Sequence, residues 1–259
     1  MKSKASDGVV ETIKTLVYAV AIAIVIRTFL YEPFNIPSGS MVPTLLVGDY
    51  LFVSKFSYGY SRYSLPFGLP LISGRIFFHP PQLGDVAVFK YPRDPSVDYI
   101  KRVMGLPGDK IQVIEGTVYI NGVAVKRTRT ESFVDPETGA LRQQFIETLP
   151  NGVQHPILLA PRDYATPPPR CDNPSEVSTD MENTCPFIVP PDHYFMMGDN
   201  RDNSADSRDP SSGVGYVPVE NLVGHAEFIF FSTNGYARWW EVWNWPFTVR
   251  YDRLFTAIH

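Results

Sequence analysis

An uncharged apolar segment near the amino terminus, TLVYAVAIAIVI at residues 15–26, constrains this chain more than any other feature. As a helix these residues alone reach only about 18 Å, too short for a hydrocarbon core of about 30 Å. The helix becomes long enough if it extends over residues 8–31, with Lys14 and Arg27 reaching toward the lipid headgroups. A buried core helix and a cleavable signal peptide are alternatives, but RTFLYEPF, which follows, lacks the small residues of a cleavage site. We therefore predict one uncleaved transmembrane anchor over residues 8–31.

The charges that flank this segment predict its orientation. Lys2, Lys4 and Lys14 precede the uncharged segment of residues 15–26, and Arg27 follows it. Positive residues are enriched on the cytoplasmic side of single spans. We therefore expect the tail of residues 1–7 in the cytoplasm and the rest of the chain outside.

The two cysteines agree with an exported body. Cys171 and Cys185 lie in a polar, proline-rich segment, PPPRCDNPSEVSTDMENTCP. A reduced pair is an alternative, but two cysteines around a turn-rich loop favour a disulfide in an oxidising compartment. Such a bridge stabilises a protein by about 3 kcal/mol for a loop of this size.

Composition favours an all-β body and excludes one class of partner. The chain has 24 Pro, 18 Gly, 17 Phe and 14 Tyr, which favours short strands and turns over long helices. The net charge is −4, and the Lys and Arg residues are scattered. A nucleic-acid binder would carry a clustered basic surface, so we predict no nucleic-acid partner.

Short runs rich in β-branched and aromatic residues mark the strands of this body. They are GDYLFVSKF at 48–56, GDVAVFKY at 84–91 and DYIKRVMG at 98–105. Asn121-Gly122 between alternating apolar runs predicts a hairpin. The chain then becomes polar and proline-rich until about residue 190.

These patterns predict how the chain divides. The fold class is mainly β, with an antiparallel catalytic body and an inserted β-rich cap subdomain behind the anchor. We assign residues 32–110 and 191–259 to the body and residues 111–190 to the insertion.

Two serines stand close together in IPSGSMVPTL at residues 36–45, and either would need a base to become nucleophilic. His79, His155, His193 and His225 are candidates for a triad, but no local pattern marks any of them. The G-x-S-x-G and S-x-x-K motifs are absent, as is H-E-x-x-H. We therefore predict no metal and no cofactor, and lysine remains as the base.

Lys101 differs from the other lysines because it lies inside an apolar run, YIKRVMG. On a strand, Lys101 and Arg102 would point to opposite faces, so one of them must face an interior. A desolvated lysine loses its proton readily, whereas an arginine stays charged. An exposed lysine on an edge strand is the alternative.

Three segments, in order, resemble the type I signal peptidases, membrane-bound serine proteases that release exported proteins from their signal peptides. PSGSMVPTLLVGDYLFVSKF resembles the family's nucleophile segment, and GDVAVFKYPRDPSVDYIKRVMGLPGD resembles its lysine segment. GDNRDNSADSR at residues 198–208 resembles its third signature. The resemblance covers the anchor and the body but says little about residues 111–190.

The resemblance implies a role for each matching residue. Ser40 aligns with the nucleophile and Lys101 with the general base. Ser38 aligns with the hydroxyl that shares an oxyanion hole with the backbone N–H of Ser40, and Ser204 with the hydroxyl that orients the lysine. The residues expected to support the site are Gly198, Asp199, Asp206 and Arg208.

The resemblance also implies specificity for small residues at the first and third positions before the scissile bond, the Ala-x-Ala pattern. The substrate would bind as an added strand, and ordinary core packing is the alternative role for each apolar residue involved. The implied substrate-binding residues are Phe34, Ile36, Pro37, Met41, Leu45, Leu51, Val88, Asp98, Tyr99 and Ile100.

The resulting hypothesis is a Ser-Lys endopeptidase of the bacterial inner membrane that faces the periplasm and removes signal peptides from exported preproteins. Its expected partners are those signal peptides and the lipid bilayer, with the protein-export machinery as a further candidate. A self-cleaving repressor is a rival, but it would need a DNA-binding domain where this chain has an anchor. A catalytically silent, anchored β-domain that binds peptides is another rival, which would not require Ser40, Lys101 and Ser204 together.

All four tryptophans lie in YARWWEVWNWPF at residues 236–247. Such a cluster favours either docking at the membrane interface or packing in the β body. The sequence leaves both interpretations open.

Overall fold

A computed structural model describes residues 4–65, 68–136, 138–161, 171, 180–235 and 243–259. Most of the tryptophan run, residues 236–242, lies outside the described residues. Within that run, Trp243 and Phe247 are described and exposed.

The amino-terminal helix α1 spans Lys4–Phe29. Its stretch Val10–Phe29 is long and apolar enough to cross a membrane, and the rest of the chain leaves it almost wholly uncovered. The helix ends at Phe29 rather than at the predicted residue 31, because the first strand begins at Tyr31. A short carboxy-terminal helix, α2, spans Trp245–Thr248.

The described residues are otherwise mainly β. In chain order the strands are β1 (Tyr31–Asn35), β2 (Asp49–Ser54), β3 (Tyr60–Ser61), β4 (Arg75–Ile76), β5 (Val86–Tyr91), β6 (Asp94–Gly105), β7 (Lys110–Ile114), β8 (Thr117–Ile120), β9 (Val123–Ala124), β10 (Lys126–Arg129), β11 (Phe133–Val134), β12 (Leu141–Thr148), β13 (Gln154–Leu159), β14 (Phe187–Ile188), β15 (His193–Met197), β16 (Val217–Pro218), β17 (Leu222–Ser232) and β18 (Thr256–Ala257).

One large antiparallel sheet forms the body. Among the described residues its strands follow the order β1-β2-β17-β5-β6-β15-β16, and β18 pairs with β17. Strand β1 lies at one edge, and within the described part of the chain it pairs with β2 alone, from Tyr31 opposite Ser54 to Asn35 opposite Tyr50. The other edge of β1 is therefore open to an added strand.

The chain between β6 and β15 forms separate sheets and contributes no described strand to the large sheet. One contains β7, β8, β9 and β14, and the other contains β10, β11, β12 and β13. The Asn121-Gly122 hairpin forms as predicted, with both residues at positive φ between β8 and β9. The division at residues 111–190 agrees with this arrangement and remains our proposal.

The disulfide between Cys171 and Cys185 is present, with 5.5 Å between the two Cα atoms.

Apolar side chains of β2, β5 and β17 and of the segment after β1 form the core nearest to the serine pair. Its buried members are Ile36, Met41, Leu45, Leu51, Val53, Val86, Val88, Val223, Ala226, Ile229 and Ile258. Phe34 and Ile100 pack against this cluster while keeping part of their surface exposed. The core thus forms a rigid base beneath the residues that follow β1.

Candidate active site

The serine pair lies directly after edge strand β1. Ser38 is exposed and has extended backbone dihedral angles, and a short 3₁₀ turn over Gly39–Met41 follows it. This turn carries Ser40 inward, so that the Ser40 side chain is 8% exposed. The two hydroxyls therefore differ in environment although only one residue separates them.

Lys101 comes from β6 and meets Ser40 across the cleft. Its Nζ lies 2.5 Å from Ser40 Oγ and donates a second hydrogen bond, of 3.0 Å, to the carbonyl oxygen of Ile100. The side chain is almost completely buried, with Nζ 5.5 Å from the centre of the Tyr99 ring. A neutral amine at this distance accepts the Ser40 hydroxyl proton, which is the first requirement of a general base.

Burial also supplies the second requirement, a lowered pKa. Desolvation lowers the pKa of Lys101 from its ordinary value near 10.5 to about 8, and the nearby Arg208 charge acts in the same direction. The carboxylates of Asp206 and Asp199 oppose this shift without cancelling it. At this pKa about one molecule in ten holds the neutral amine at pH 7.

Ser204 is buried beneath the dyad. Within the described residues its Oγ has no hydrogen-bond partner of good geometry, although it is near enough to Asp206 to help lower the pKa of that carboxyl. We expected Ser204 to bond Lys101. Among the described contacts Lys101 Nζ bonds Ser40 and the Ile100 carbonyl oxygen, and the Ser204 role stays a prediction.

Gly198 explains how Ser204 comes so close to the nucleophile. A Cβ atom at Gly198 would overlap Ser204 Oγ and the carbonyl oxygen of Ser40. Only glycine leaves room for this approach.

Arg102 and Asp199 form a fully buried ion pair beside the site. Arg102 Nε and Nη2 donate to the two Asp199 oxygens at 2.9 and 2.7 Å, and Arg102 Nη1 donates to Gly84 O at 2.7 Å. Thr44 Oγ1 adds a bond of 2.5 Å to Asp199. Lys101 and Arg102 are therefore both interior, although the strand period required only one of them to be.

Asp206 and Arg208 form the second buried pair. Arg208 Nε and Nη2 each donate to Asp206 at 2.9 Å, and Arg208 Nη1 donates to Glu182 at 2.8 Å. Burial alone would raise the pKa of Asp206. The Arg208 charge and the hydrogen bonds to Asp206 lower this pKa by more, so it lies below its ordinary value. The Asp206 carboxylate also accepts the Gly198 N–H at 3.0 Å and so fixes the loop that carries Ser204.

A cleft of about 520 Å³ opens beside the dyad. Seven of the ten implied substrate-binding residues line it, namely Phe34, Ile36, Pro37, Val88, Asp98, Tyr99 and Ile100. The other three, Met41, Leu45 and Leu51, are fully buried in the core behind the cleft. They back the cleft wall and have no surface for a substrate to touch.

Sequence reasoning missed a third buried ion pair, Glu147 with Arg201. Arg201 Nη1 donates to Glu147 at 2.9 Å, and His155 Nε2 lies 3.3 Å from the same carboxylate. Burial raises the pKa of Glu147, but Arg201 and His155 together lower it to about 2. The GDNRDNSADSR segment contained Arg201, but no local pattern marked Glu147 or His155.

A serine hydroxyl hydrogen-bonded to a buried lysine, beside an open edge strand and a cleft, is the arrangement expected of a serine peptidase. No group of three or more His, Cys, Asp or Glu side chains in the described part of the chain could hold a metal ion.

Comparisons with known proteins identify the family. The sequence model of the family described as signal peptidase, peptidase S26, matches residues 9–231. A signal peptidase I of Rickettsia typhi is 40% identical over 272 residues, which cover 99% of this chain and 97% of that protein. One of Rickettsia conorii is 43% identical over 256 residues, 93% and 90% of the two chains. This chain belongs to the signal peptidase family, peptidase S26, and the predicted resemblance is confirmed.

A crystal structure of a signal peptidase I from Enterococcus faecalis superimposes with a TM-score of 0.32 at 25% identity, covering 57% of this chain and 97% of that one.

We predict that activity rises with pH through the pKa of Lys101. Protonated Lys101 cannot accept the Ser40 proton, so kcat/KM should fall about tenfold per pH unit below pH 8 and level off above it. The measurement is the pH profile of kcat/KM for a short peptide substrate with no titrating group in that range. A profile that is flat between pH 6 and 9 would contradict a lysine base.

Breaking the Arg102–Asp199 pair should strongly destabilise the fold. Arg102→Met leaves the Asp199 carboxylate buried without its charge partner, which costs about 3–5 kcal/mol in the free energy of unfolding. The check is urea unfolding of the full chain in detergent micelles, followed by tryptophan fluorescence. Lys90→Met is the control, since the Lys90–Asp98 pair is partly exposed and worth about 0–1 kcal/mol. Equal losses in the free energy of unfolding for the two variants would show that the buried pair contributes no more to stability than an exposed one.

Proposed function

We propose that this chain is a membrane-anchored signal peptidase that cleaves exported preproteins after an Ala-x-Ala pattern, with Ser40 as nucleophile and Lys101 as general base. The observation that carries the proposal is the 2.5 Å distance between Lys101 Nζ and Ser40 Oγ, with both residues buried.

In the first half of the reaction Ser40 Oγ attacks the scissile carbonyl carbon while Lys101 accepts the hydroxyl proton. The carbonyl oxygen becomes negative, and the Ser38 hydroxyl and the Ser40 N–H stabilise it. The tetrahedral intermediate then collapses, and Lys101 returns its proton to the leaving amine. The products of this half are the mature protein and an acyl ester of Ser40.

In the second half a water molecule gives a proton to neutral Lys101 and attacks the ester. The acyl bond breaks, and the proton returns to Ser40 Oγ.

When Lys101 is charged it has three donors, and Ser40 and Ile100 take two of them. We assign Ser204 to the third, because its buried hydroxyl has no other well-placed partner among the described residues.

The cleft supports an extended substrate with small side chains. A substrate strand would pair with the open edge of β1 and pass Asp98–Ile100 on the other side of the cleft. The walls at Ile36 and Val88 are backed by fully buried Met41, Leu45 and Leu51, so the pockets have little room to deepen. We therefore assign specificity to the rigidity of this core as well as to the residues at the cleft surface.

The apolar helix α1 is consistent with membrane anchoring of a signal peptidase I. We propose that it spans the bacterial inner membrane once, with residues 1–7 in the cytoplasm and the body in the periplasm. The lysines before the span support this orientation, as does a disulfide in the body. The bilayer and preprotein signal peptides are then the direct partners, and the export machinery that delivers them is a further candidate. We propose no nucleic-acid partner.

The rival of a catalytically silent peptide-binding domain accounts less well for the site. A binder gains nothing from burying a lysine beside a serine, because burial disfavours the lysine charge. A self-cleaving repressor lacks support because an apolar helix precedes the body.

Removal of either dyad member should abolish cleavage. Ser40→Ala lacks the attacking oxygen and Lys101→Ala lacks the base, so each should lower the turnover of a preprotein with an Ala-x-Ala site to background. The assay is gel analysis of preprotein cleavage by the full chain in detergent. The controls are Ser132→Ala and Lys110→Ala, exposed positions outside the site, which should cleave normally. Near-normal turnover by either dyad variant would reject the mechanism.

The Ser38 hydroxyl should act in the chemical step. Loss of one oxyanion donor costs about 2.7–4 kcal/mol, so Ser38→Ala should lower kcat by about 10²–10³ with little change in KM. Steady-state kinetics on a peptide substrate separate the two constants. A rise in KM at unchanged kcat would assign Ser38 to substrate binding instead.

A further inference from the structure

Asn200 donates hydrogen bonds to the backbone on both sides of the nucleophile Ser40. Asn200 Nδ2 donates to the Gly39 carbonyl oxygen at 2.9 Å, and the Asn200 N–H donates to the Ser40 carbonyl oxygen at 3.1 Å. Asn200 is buried, and none of the roles proposed above involves it. These two hydrogen bonds therefore fix the carbonyl groups before and after the Ser40 Cα atom.

The geometry of a trans peptide gives this contact a consequence. In a planar trans peptide the C=O and N–H groups point in opposite directions. The Gly39–Ser40 peptide is trans, so a donor that fixes the Gly39 oxygen also fixes the opposite direction of the Ser40 N–H. Among the described residues the Ser40 N–H donates to no acceptor and stays available to a substrate oxygen.

The loop that carries Asn200 is itself anchored to the β12–β13 hairpin. Arg201 bonds Glu147 of β12 and also donates from Nε to the Gly198 carbonyl oxygen at 3.2 Å. The Leu158 N–H of β13 donates to the Asp199 carbonyl oxygen at 2.9 Å. The Arg201 and Glu147 side chains are both almost fully buried, so their charges balance each other without help from water.

We propose that Asn200 is a positioning residue for the oxyanion hole, and that the Glu147–Arg201 ion pair holds Asn200 in place. This inference rests on the proposed roles of Ser38 and Ser40. By this inference the β12–β13 hairpin, which lies outside the large sheet, affects catalysis by holding Asn200 and does not contact the substrate.

The first experiment measures kcat and KM for Asn200→Ala in the full chain, with a peptide substrate. Without Asn200 the Gly39 carbonyl oxygen keeps only the longer bond from the Val42 N–H, at 3.2 Å, among the described residues. The Ser40 N–H can then turn away from the oxyanion, so kcat should fall by about 10²-fold while KM stays close to that of the unchanged protein. Asn200→Asp keeps the shape and lacks the donor, so it should show the same loss if Asn200→Ala fails to fold.

The matched control is Asn221→Ala. Asn221 is also a buried asparagine whose Nδ2 donates to a backbone carbonyl, that of Lys90, at 2.9 Å. It lies outside the site, so its loss should cost comparable stability and leave kcat within about twofold. Equal kcat values for the Asn200 and Asn221 variants would overturn the proposal.

A double-mutant cycle with Ser38→Ala tests whether Asn200 acts through the oxyanion hole. Two changes that weaken the same hole should be non-additive in kcat, whereas independent defects multiply. The midpoint of the pH profile should not move, because Lys101 keeps its burial. Multiplying losses, or a shifted midpoint, would contradict this route of action.

The second experiment separates positioning by the ion pair from its stabilising effect. Glu147→Gln leaves Arg201 buried opposite a neutral partner and should lower both stability and kcat. Glu147→Leu with Arg201→Met removes both charges and should regain stability. We expect kcat of this double variant to stay low, because Arg201 no longer holds Gly198. Full recovery of kcat would show that the pair is structural only.

Ile157→Val, a mild truncation in the core of β13, controls for loss of stability in the same hairpin and should leave kcat unchanged.

Failure of this inference is distinct from failure of the proposed function. If Ser40→Ala is inactive while Asn200→Ala turns over normally, only the positioning role falls. If Ser40→Ala retains activity, the proposed function falls with it.

Discussion

The proposed mechanism depends on a lowered pKa for one amine, Lys101, although charged groups surround it. Asp206 and Asp199 each favour the protonated form of Lys101, and two free carboxylates so near would undo the effect of burial. Each carboxylate is instead bonded on two oxygens by an arginine, Arg208 or Arg102. The acids thus fix backbone and neighbouring side chains, and the Arg208 charge also lowers the pKa of Lys101 directly.

Local patterns predicted the apolar amino-terminal helix, the main strands and the Asn121-Gly122 hairpin, and they left Lys101 open between a buried and an exposed position. They failed where a strand is covered on both faces. In β6, Ile100, Val103 and Met104 pack into three different clusters, so the period of two no longer separates inside from outside, and Arg102 is buried beside Lys101. Glu147 was beyond prediction for another reason. Its partner lies 54 residues away, and a charged residue in a polar segment carries no mark of burial.

The proposed selectivity for small side chains would depend on the core packing behind the cleft as much as on the residues at the cleft surface. The implied contacts Met41, Leu45 and Leu51 have no exposed surface, but they share one cluster with Ile36 and Val88, which line the cleft. Because protein cores are close-packed, a cleft wall supported in this way yields little to a larger side chain. Surface and core residues therefore act together, and a sequence pattern alone does not separate them.

The join between α1 and β1 contains a single residue, Leu30, between Phe29 and Tyr31. The join is also braced, since Arg27 bonds Glu32 and the Tyr60 hydroxyl donates to the Phe29 carbonyl oxygen. We infer that so short and braced a join limits rotation of the body about the helix. With the helix in a bilayer, as we propose, Ser40 would stay at a nearly constant height above the lipid. The join would then set how far a substrate chain must emerge before its scissile bond comes within reach.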